Sequence, residues 1–398
     1  MLIVLADDFS GAAEIGGIGY RYGLNAEVQL KFDASSTADL IVLDADTRSL
    51  TKAGAINKTE NLVKDLISSG KQIQLFKKVD SVFRGHIVAE INVLQQYFNY
   101  KRVLLLPANP ARGRKIISGE YFVNDLSLNK TVFVNDPHFP ALSSYVEKII
   151  ATASSALPHI HLTQGIKLPD SGLITGDVTC KEDIANYLAN SDNGDLCCGA
   201  AECFEAFLEN KGYVVMNKSP DKTVLQWPYF SLIISGSTVK DQFENRKIKK
   251  LTLQPISLPG QWNGNQFILE KNKAEEWHEE ISKLLLQHKI AAIHIDHEVK
   301  PVNKATEIFS NYFIRLMRYI SEKQGRANIH FALTGGATAS VIIRSEGINT
   351  LKVEKEIAPG VVTLINQKTK GLFTVKPGSY LWPAFFIESL VNQNKSSE

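Results

Sequence analysis

Four short apolar runs, at residues 2–6, 40–43, 73–76 and 103–106, are separated by stretches of helix length, with a shorter run at 27–30. Each run gives way to polar and glycine residues before an amphipathic segment begins. Strands this short and this continuously apolar suit a parallel sheet covered by helices on both faces, where neither face meets water. The intervening segments fit that frame. Residues 51–69 put Ile56, Leu62, Val63, Leu66 and Ile67 on one stripe and stop at Gly70. Residues 80–99 put Ile87, Ile91, Leu94 and Tyr97 or Phe98 inward.

A turn-rich stretch follows, holding Arg112, Gly113, Arg114, Gly119 and Asn135-Asp136-Pro137, and it predicts an excursion or lid over one face. Strands are then predicted at 172–175 and 214–217, with helices at 181–189 and 200–209 between them. Ser219-Pro220-Asp221 punctuates the chain, and the alternation restarts beyond it. Strands are predicted there at 231–234, 291–295, 330–333, 361–365 and 371–375, and helices at 273–287, 305–323 and 338–345. The predicted fold is α/β in two domains, 1–220 and 221–398, each a mainly parallel sheet flanked by helices; a chain of 398 residues has room for both.

Composition narrows the function classes. With 44% hydrophobic and 22% charged residues, the chain has the make-up of a globular protein rather than a disordered one. A formal charge of +2 gives no general reason to bind nucleic acid or an anionic membrane. No segment is apolar for long enough to span a bilayer, and residues 1–8 read as a strand ending in two carboxylates, so a cytoplasmic protein is expected. Cys180 stands alone, while Cys197, Cys198 and Cys203 lack the paired spacing of a zinc site and read as plain thiols. His294 with Asp296 and His297, and His159 with His161, lack a third metal ligand of obvious spacing. No nucleophile elbow is present, and the lysines at 247–250 read as a solvated patch.

Ligands of open α/β sheets bind outside the carboxyl ends of the strands. Four strand ends of the first half deliver polar groups there: Asp7, Asp8, Ser10 and Gly11; Asp44, Asp46, Thr47 and Arg48; Lys78, Asp80, Ser81 and Arg84; and Asn109, Arg112 and Arg114. Any one of them has a plainer reading, since Asp7 or Asp8 would cap a helix beginning after Gly11 and Asp80 or Ser81 would cap the next. Four in succession point to a ligand. Arginines and a lysine suit a carboxylate or phosphate, Asp and Asn suit hydroxyls, and no aromatic residues gather, so the ligand described is a small polyhydroxy acid.

The second half offers glycine turns instead. Ser235-Gly236-Ser237-Thr238 and Thr334-Gly335-Gly336-Ala337-Thr338 each follow a strand, the second opening a helix, and Pro359-Gly360 and Lys376-Pro377-Gly378-Ser379 flank two more strands. Such turns bring backbone N–H groups to a phosphate, although Gly335-Gly336 would equally permit a tight strand-to-helix connection. Neither the dinucleotide fingerprint nor the phosphate-loop lysine motif occurs, which counts against a dehydrogenase.

With these motifs in place, the chain resembles the four-carbon acid sugar kinase family, the ATP-dependent kinases of threonate, erythronate and 3-oxo-tetronate. The resemblance rests on Ala6-Asp7-Asp8-Phe9-Ser10-Gly11-Ala12, on Lys78-Val79-Asp80-Ser81-Val82-Phe83-Arg84-Gly85, on Pro107-Ala108-Asn109-Pro110 with Gly113-Arg114, and on Asn135-Asp136-Pro137. It continues through Ser235-Gly236-Ser237, Thr334-Gly335-Gly336 with Thr338-Ala339, Glu356-Ile357-Ala358-Pro359-Gly360-Val361 and Lys376-Pro377-Gly378-Ser379. It implies an acid-sugar-binding domain over 1–220, a nucleotide-binding domain over 221–398, and reaction in the cleft between them. Asp7, Asp8, Ser10, Asp80, Ser81 and Arg84 then stand at substrate positions, and Ser235, Gly236, Gly335, Gly336, Gly360 and Gly378 at nucleotide positions. Three places depart from the pattern: Ala337 replaces a carboxylate, Ala13-Glu14-Ile15-Gly16 replaces the usual continuation of the first motif, and Tyr380-Leu381 replaces Phe-Gly.

The expected reaction is phosphoryl transfer from ATP with Mg²⁺ to a hydroxyl of a small sugar acid. Arg84, with Lys78 or Arg114, would hold the acid's carboxylate, and Asp7, Asp8 or Asp80 would orient the hydroxyl and take its proton. Ser10, Ser81 and Asn109 complete the substrate set. Ser235, Gly236, Ser237, Gly335, Gly336, Thr338, Glu356, Gly360, Lys376, Gly378 and Ser379 form the expected nucleotide set, with Glu356 able to stand in for the carboxylate missing at Ala337. The metal ligands are not assigned, and a homodimer is left open. The rival reading is a sugar-acid sensor whose nucleotide site has degenerated.

Overall fold

The computed structural model describes residues 1–136, 138–163, 167–217, 227–236, 256–257, 261–263, 266–268, 271–294, 305–378 and 380–392. The punctuation at Ser219-Pro220-Asp221, the lysine run at 247–250, Asp296, His297 and the two site candidates Ser237 and Ser379 lie outside the described residues. The chain divides into two compact units, Met1–Met216 and Asn217–Glu398.

In the first unit, strands β1 (Leu2–Ala6), β2 (Ala26–Gln29), β3 (Leu40–Asp44), β4 (Gln74–Lys78) and β5 (Arg102–Leu106) alternate with helices α1 (Phe9–Arg21), α2 (Lys52–Ser68) and α3 (Ile87–Phe98). The excursion then forms a small antiparallel sheet of β6 (Arg114–Ile117), β7 (Glu120–Val123) and β8 (Leu126–Ser127). Helix α4 (Val146–Ala151), strands β9 (His159–Leu162) and β10 (Gly172–Gly176), helix α5 (Lys181–Ala189), strand β11 (Leu196–Gly199) and helix α6 (Ala201–Asn210) complete the unit. The main sheet runs β2-β3-β1-β4-β11-β5-β10-β9, with every pairing parallel. Every residue of β1, β3 and β10 is buried, as a sheet covered on both faces requires.

This order fixes where a ligand would sit. From β1 the chain passes through α1 to β2 on one side of the sheet; from β4 it passes through α3 to β5 on the other. Right-handed crossovers in opposite directions put α1 and α3 on opposite faces, with α1 packed on α6 and α3 on α2. Strands β1 and β4 are neighbours, Ala6 opposite Lys78. Their outgoing loops therefore part company and open a crevice at the carboxyl edge.

Several expected elements differ. The helix predicted from residue 80 starts only at Ile87, because Phe83 (φ 64°) and Gly85 (φ 96°) turn the backbone left-handed and a right-handed helix cannot pass through them. Asp80 and Ser81 therefore cap no helix. Helix α1, expected to begin after Gly11, begins at Phe9. In α2 the inward stripe is Ala55, Thr59, Val63 and Leu66, while Ile67 is exposed. The strand predicted at 214–217 does not form, and Val214 and Val215 lie exposed. Its place is taken by the buried Leu-Cys-Cys-Gly of β11, where cysteine acts as a small apolar residue. His159 and His161 lie on β9, and both bond the Thr175 hydroxyl, with His161 also on Asp177.

The second unit has strands β12 (Phe230–Ser235), β13 (Ile256–Ser257), β14 (Gln261–Asn263), β15 (Gln266–Ile268), β16 (Ile290–His294), β17 (Ile329–Thr334), β18 (Thr350–Ala358), β19 (Val361–Ile365) and β20 (Leu372–Lys376). Helices span Lys271–His288, Ala305–Gln324, Gly336–Ser345 and Ala384–Asn392. The sheet runs β13-β16-β12-β17-β20-β19-β18, parallel as far as β20 and antiparallel over the last two strands. Strand β18 and the helix Ala384–Asn392 were not expected. That helix buries Phe386, Ile387 and Leu390 with Trp227 and Trp382 in one apolar cluster.

Candidate functional site

The carboxyl edge of the first sheet holds a cluster of opposite charges. Asp7 follows β1 directly and Asp8 caps α1, its Oδ1 accepting the Gly11 N–H at 3.0 Å and its Oδ2 the Ser10 hydroxyl at 2.7 Å. A Cβ on Gly11 would lie 2.7 Å from Asp8 Oδ1 and 3.3 Å from the Lys78 amine, so the close approach needs glycine. Arg48, from the loop after β3, enters the middle. Its Nε donates to Asp7 Oδ2 at 2.7 Å, its two terminal nitrogens meet the Asp8 carboxylate at 3.1 Å, and Nη1 lies 3.5 Å from Asp80 Oδ2. The backbone N–H groups of Thr47 and Arg48 donate to the Asp7 carbonyl, which ties the β3 loop to β1.

Asp80 organises the irregular loop after β4. Its Oδ1 accepts the N–H of Val82 at 2.9 Å and of Arg84 at 3.2 Å, and its carboxylate takes the Arg84 guanidinium in a paired contact at 3.2 and 2.8 Å. Arg84 Nη1 also faces Asp136 Oδ2 at 3.6 Å. Burial works against ionising Asp80, but Arg48 and Arg84 overcome it and hold the carboxyl far below the usual range. Asp8 is likewise lowered against its burial by Arg48 and Lys78. Asp7 is 2% exposed, and its Oδ1 has no hydrogen-bond partner among the described residues.

The remaining candidates surround this cluster. Lys78 is buried beside Glu14 at 3.8 Å and donates to the Val79 carbonyl. Ser81 is gripped from the excursion, its hydroxyl by Arg114 and its carbonyl by Tyr121. Buried Asn109 pairs through its backbone with Arg114. Arg112 is exposed. The expectation that no aromatic residues gather here is corrected: Tyr121 packs edge-on against Phe83, Phe139 against His86, and Phe133 lies 5.7 Å from Arg84. Tyr121, Phe133 and Phe139 arrive from the excursion, so no strand end announces them, whereas Phe83 and His86 stand in the loop after β4 itself. Arg48 stands at a strand end and was visible by that rule, but its role as the hub depends on three loops converging.

In the second unit, register brings the glycine turns to one edge. Ser235 pairs with Thr334, Thr334 with Lys376, and Val375 with Val362, so Gly236, Gly335 and the turn at Gly360 follow side by side. A Cβ at Gly236 would run into the buried Thr338 side chain. Gly335 (φ 96°) caps the helix that Gly336 opens, and open space lies where its Cβ would be. The Gly335 N–H donates to the Lys376 carbonyl at 3.0 Å. Glu356 is buried in β18 and accepts the Gly360 N–H at 3.5 Å. Burial pushes the Lys376 amine down to about 7, and the amine donates to the Tyr380 carbonyl at 2.6 Å and to the Pro377 carbonyl at 3.4 Å, within the turn that holds Gly378. Of the departures from the family pattern, Ala337 is exposed and Leu381 is 63% exposed.

Helix N-terminal N–H groups beside a glycine with open space suit the phosphates of a nucleotide. Asp7, Asp8 and Asp80 surround a guanidinium, and among the described residues no acidic, histidine or cysteine group gathers to hold a metal ion. Nor is any described helix long and apolar enough to cross a membrane.

Known proteins resemble the chain along its whole length. A family model described as the sugar-binding N-terminal domain matches residues 2–201. A 3-oxo-tetronate kinase of Actinobacillus succinogenes is 24% identical, with 97% of this chain and 98% of the relative aligned. A D-threonate kinase of Salmonella typhimurium is 31% identical over 38% of this chain and 37% of its own length. Among solved structures, a Haemophilus influenzae protein of the DUF1537 family superposes with a TM-score of 0.69 at 20% identity, covering 97% of this chain and 98% of its own, which shows a shared fold. Matched over half its length by the sugar-binding model and aligned end to end with a tetronate kinase, the chain belongs to the four-carbon acid sugar kinase family.

Proposed function

We propose that the protein is an ATP-dependent kinase that phosphorylates a hydroxyl of a small four-carbon sugar acid. The observation that carries this reading is the cluster of Asp7, Asp8 and Asp80 around Arg48 and Arg84, which lies at the carboxyl edge where β1 and β4 diverge, in the part of the chain that the sugar-binding model matches. Guanidinium groups bind a carboxylate through paired hydrogen bonds, and carboxylates orient hydroxyls. Arg84 is the more exposed of the two, 31% against 20% for Arg48, and takes the acid's carboxylate, with Arg114 held on Ser81. Lys78, engaged with Glu14, acts through the field it sets at Asp8.

The glycine turns at Gly236, Gly335 and Gly360, with Lys376, hold the nucleotide's phosphates in this reading. When bound, ATP supplies the phosphoryl group, and Mg²⁺ neutralises charge on its phosphates. The first-turn N–H groups from Gly336 onward donate to phosphate oxygens, and Lys376 regains its proton beside them because an anion favours the charged amine.

A panel of threonate, erythronate and 3-oxo-tetronate, each incubated with MgATP and the protein, tests the reading by mass spectrometry. One acid is expected to gain a phosphoryl group in an ATP-dependent manner. Acid binding by calorimetry with no phosphorylated product from any member would favour the sensor instead.

A further inference from the structure

We infer that Asp7 Oδ1 accepts the proton of the attacking hydroxyl, and that Arg48 is the positioning residue that aims it. The inference rests on the kinase reading above and chooses among three carboxylates that the sequence leaves equivalent. Asp8 has both oxygens engaged, Oδ1 with the Gly11 N–H and Arg48, Oδ2 with the Ser10 hydroxyl and Arg48. Asp80 has both engaged too, Oδ1 with two backbone N–H groups and Arg84 Nε, Oδ2 with Arg84 Nη2 at 2.8 Å. A base needs a free lone pair directed at the proton, and these two carboxylates have committed theirs to holding the loops.

Asp7 differs. Arg48 Nε takes Oδ2 at 2.7 Å and fixes the carboxylate plane, while Oδ1 is buried with no partner among the described residues. A buried oxygen left in that state costs free energy until a donor arrives; because solvent does not reach it, a neighbouring side chain must move aside before the substrate hydroxyl becomes that donor. The wall behind the carboxylate is close as well. Gly85 is left-handed, and a Cβ there would lie 3.1 Å from Asp7 Oδ2 and 3.7 Å from Arg48 Cγ, so backbone packs directly against the pair.

The step balances. The hydroxyl O–H bond breaks as its oxygen bonds to the γ-phosphorus, the bond from that phosphorus to the bridging oxygen breaks with its electron pair leaving on ADP, and the proton rests on Asp7 Oδ1. With the acid that the unmodified protein phosphorylates, Asp7→Asn is expected to lower kcat by about 100-fold or more while the Kd for the acid stays within about threefold. Asp80→Asn, which loosens Arg84, is expected to weaken acid binding instead. Arg48→Lys keeps the charge but loses the fork, and should lower kcat by about tenfold with KM nearly unchanged; it carries the test if circular dichroism shows Asp7→Asn unfolded. A kcat within about threefold of the unmodified protein's in either folded variant, or a loss of acid binding equal to the loss of kcat, overturns the assignment. Absence of product from the unmodified protein overturns the kinase reading, and this assignment with it, before any substitution is made.

Discussion

The two sheets finish their parallel strands in different materials. In the first unit the carboxyl edge is made of charged side chains, with Asp7, Asp8, Arg48, Asp80 and Arg84 bonded to one another. In the second it is made of backbone, with Gly236, Gly335 and Gly360 in a row and the buried Lys376 amine resting on carbonyl oxygens. A rim of paired charges is ordered before its ligand comes, but an incoming anion must compete with the carboxylates already there. Where Gly336 opens its helix, the second rim offers first-turn N–H groups that have no partner within the helix, while the N–H groups of Gly236, Gly335 and Gly360 already donate to Thr334, Lys376 and Glu356. Under the proposed function, the first edge would recognise its ligand by exchange of ion pairs and the second chiefly through the first turn of the helix that Gly336 opens.

Breaking the charged edge should have the largest effect. Arg84→Ala removes the partly exposed guanidinium that faces both Asp80 and Asp136. Its expected cost is about 2–5 kcal/mol in transition-state stabilisation for the acid, read as a fall in kcat/KM, with the KM for ATP little changed. Equal losses toward acid and nucleotide would erase the division between the two edges. The glycine edge should respond to shape rather than charge. Gly236→Ala drives a methyl group into Thr338, and the overpacking should cost about 1–3 kcal/mol in urea unfolding and weaken nucleotide binding while leaving the Kd for the acid unchanged.

A third test uses pH. Lys376 has its folded-state pKa lowered to about 7 by burial, below the 10.5 of an exposed lysine. Above pH 10.5 both folded and unfolded chains hold the neutral amine and no penalty applies. As pH falls toward 7 the unfolded chain takes up a proton that the folded chain resists, so stability is lost across that window and levels off below it. Because the buried thiols of Cys197, Cys198 and Cys203 titrate in the same range with the opposite sign, the Lys376 contribution is read as the difference in slope between the unmodified protein and Lys376→Met, which should approach about 1.4 kcal/mol per pH unit. A saturating nucleotide that restores the charge should shrink that difference. Equal slopes for the unmodified protein and Lys376→Met between pH 7 and 10 would show that Lys376 keeps its proton on the Pro377 and Tyr380 carbonyls.

How much of this was open to inspection in the sequence follows from the same contrast. The alternation of apolar runs foretold β1, β3, β4 and β5, and the rule that ligands meet carboxyl ends gathered the polar residues of four strand ends, from which the family resemblance singled out Asp7, Asp8, Asp80 and Arg84. What stayed hidden was whatever depends on convergence. Arg48 looked like one polar residue among four after β3 until three loops met around it. The loop 80–86 read as helix because its apolar spacing continues into α3, and nothing in Phe83 announces a left-handed backbone. Strand β11 passed unseen because two of its four residues are cysteines. In the second unit the glycine motifs were plain, but their arrangement side by side needed the register of β17, β20 and β19, and the long β18 that carries Glu356 was not foreseen.

The smallest expected effect probes the exchange of ion pairs most directly. Asp136 serves two ends at once: its Oδ1 accepts the N–H groups of His138 at 3.0 Å and Phe139 at 2.8 Å, shaping its own turn, while its Oδ2 faces Arg84 at 3.6 Å. Asparagine keeps the first oxygen and loses the charge on the second. Because the Arg84 side chain is 31% exposed, the pair is screened by water, and Asp136→Asn should change unfolding stability by less than about 1 kcal/mol. If Asp136 competes with the acid's carboxylate for Arg84, its neutralisation should lower the KM for the acid by up to about fivefold at low ionic strength, and the difference should fade in salt as exposed charges are screened. A KM that rises instead would mean that Asp136 holds Arg84 in its working position, and that this part of the charged edge is scaffolding rather than a rival to the ligand.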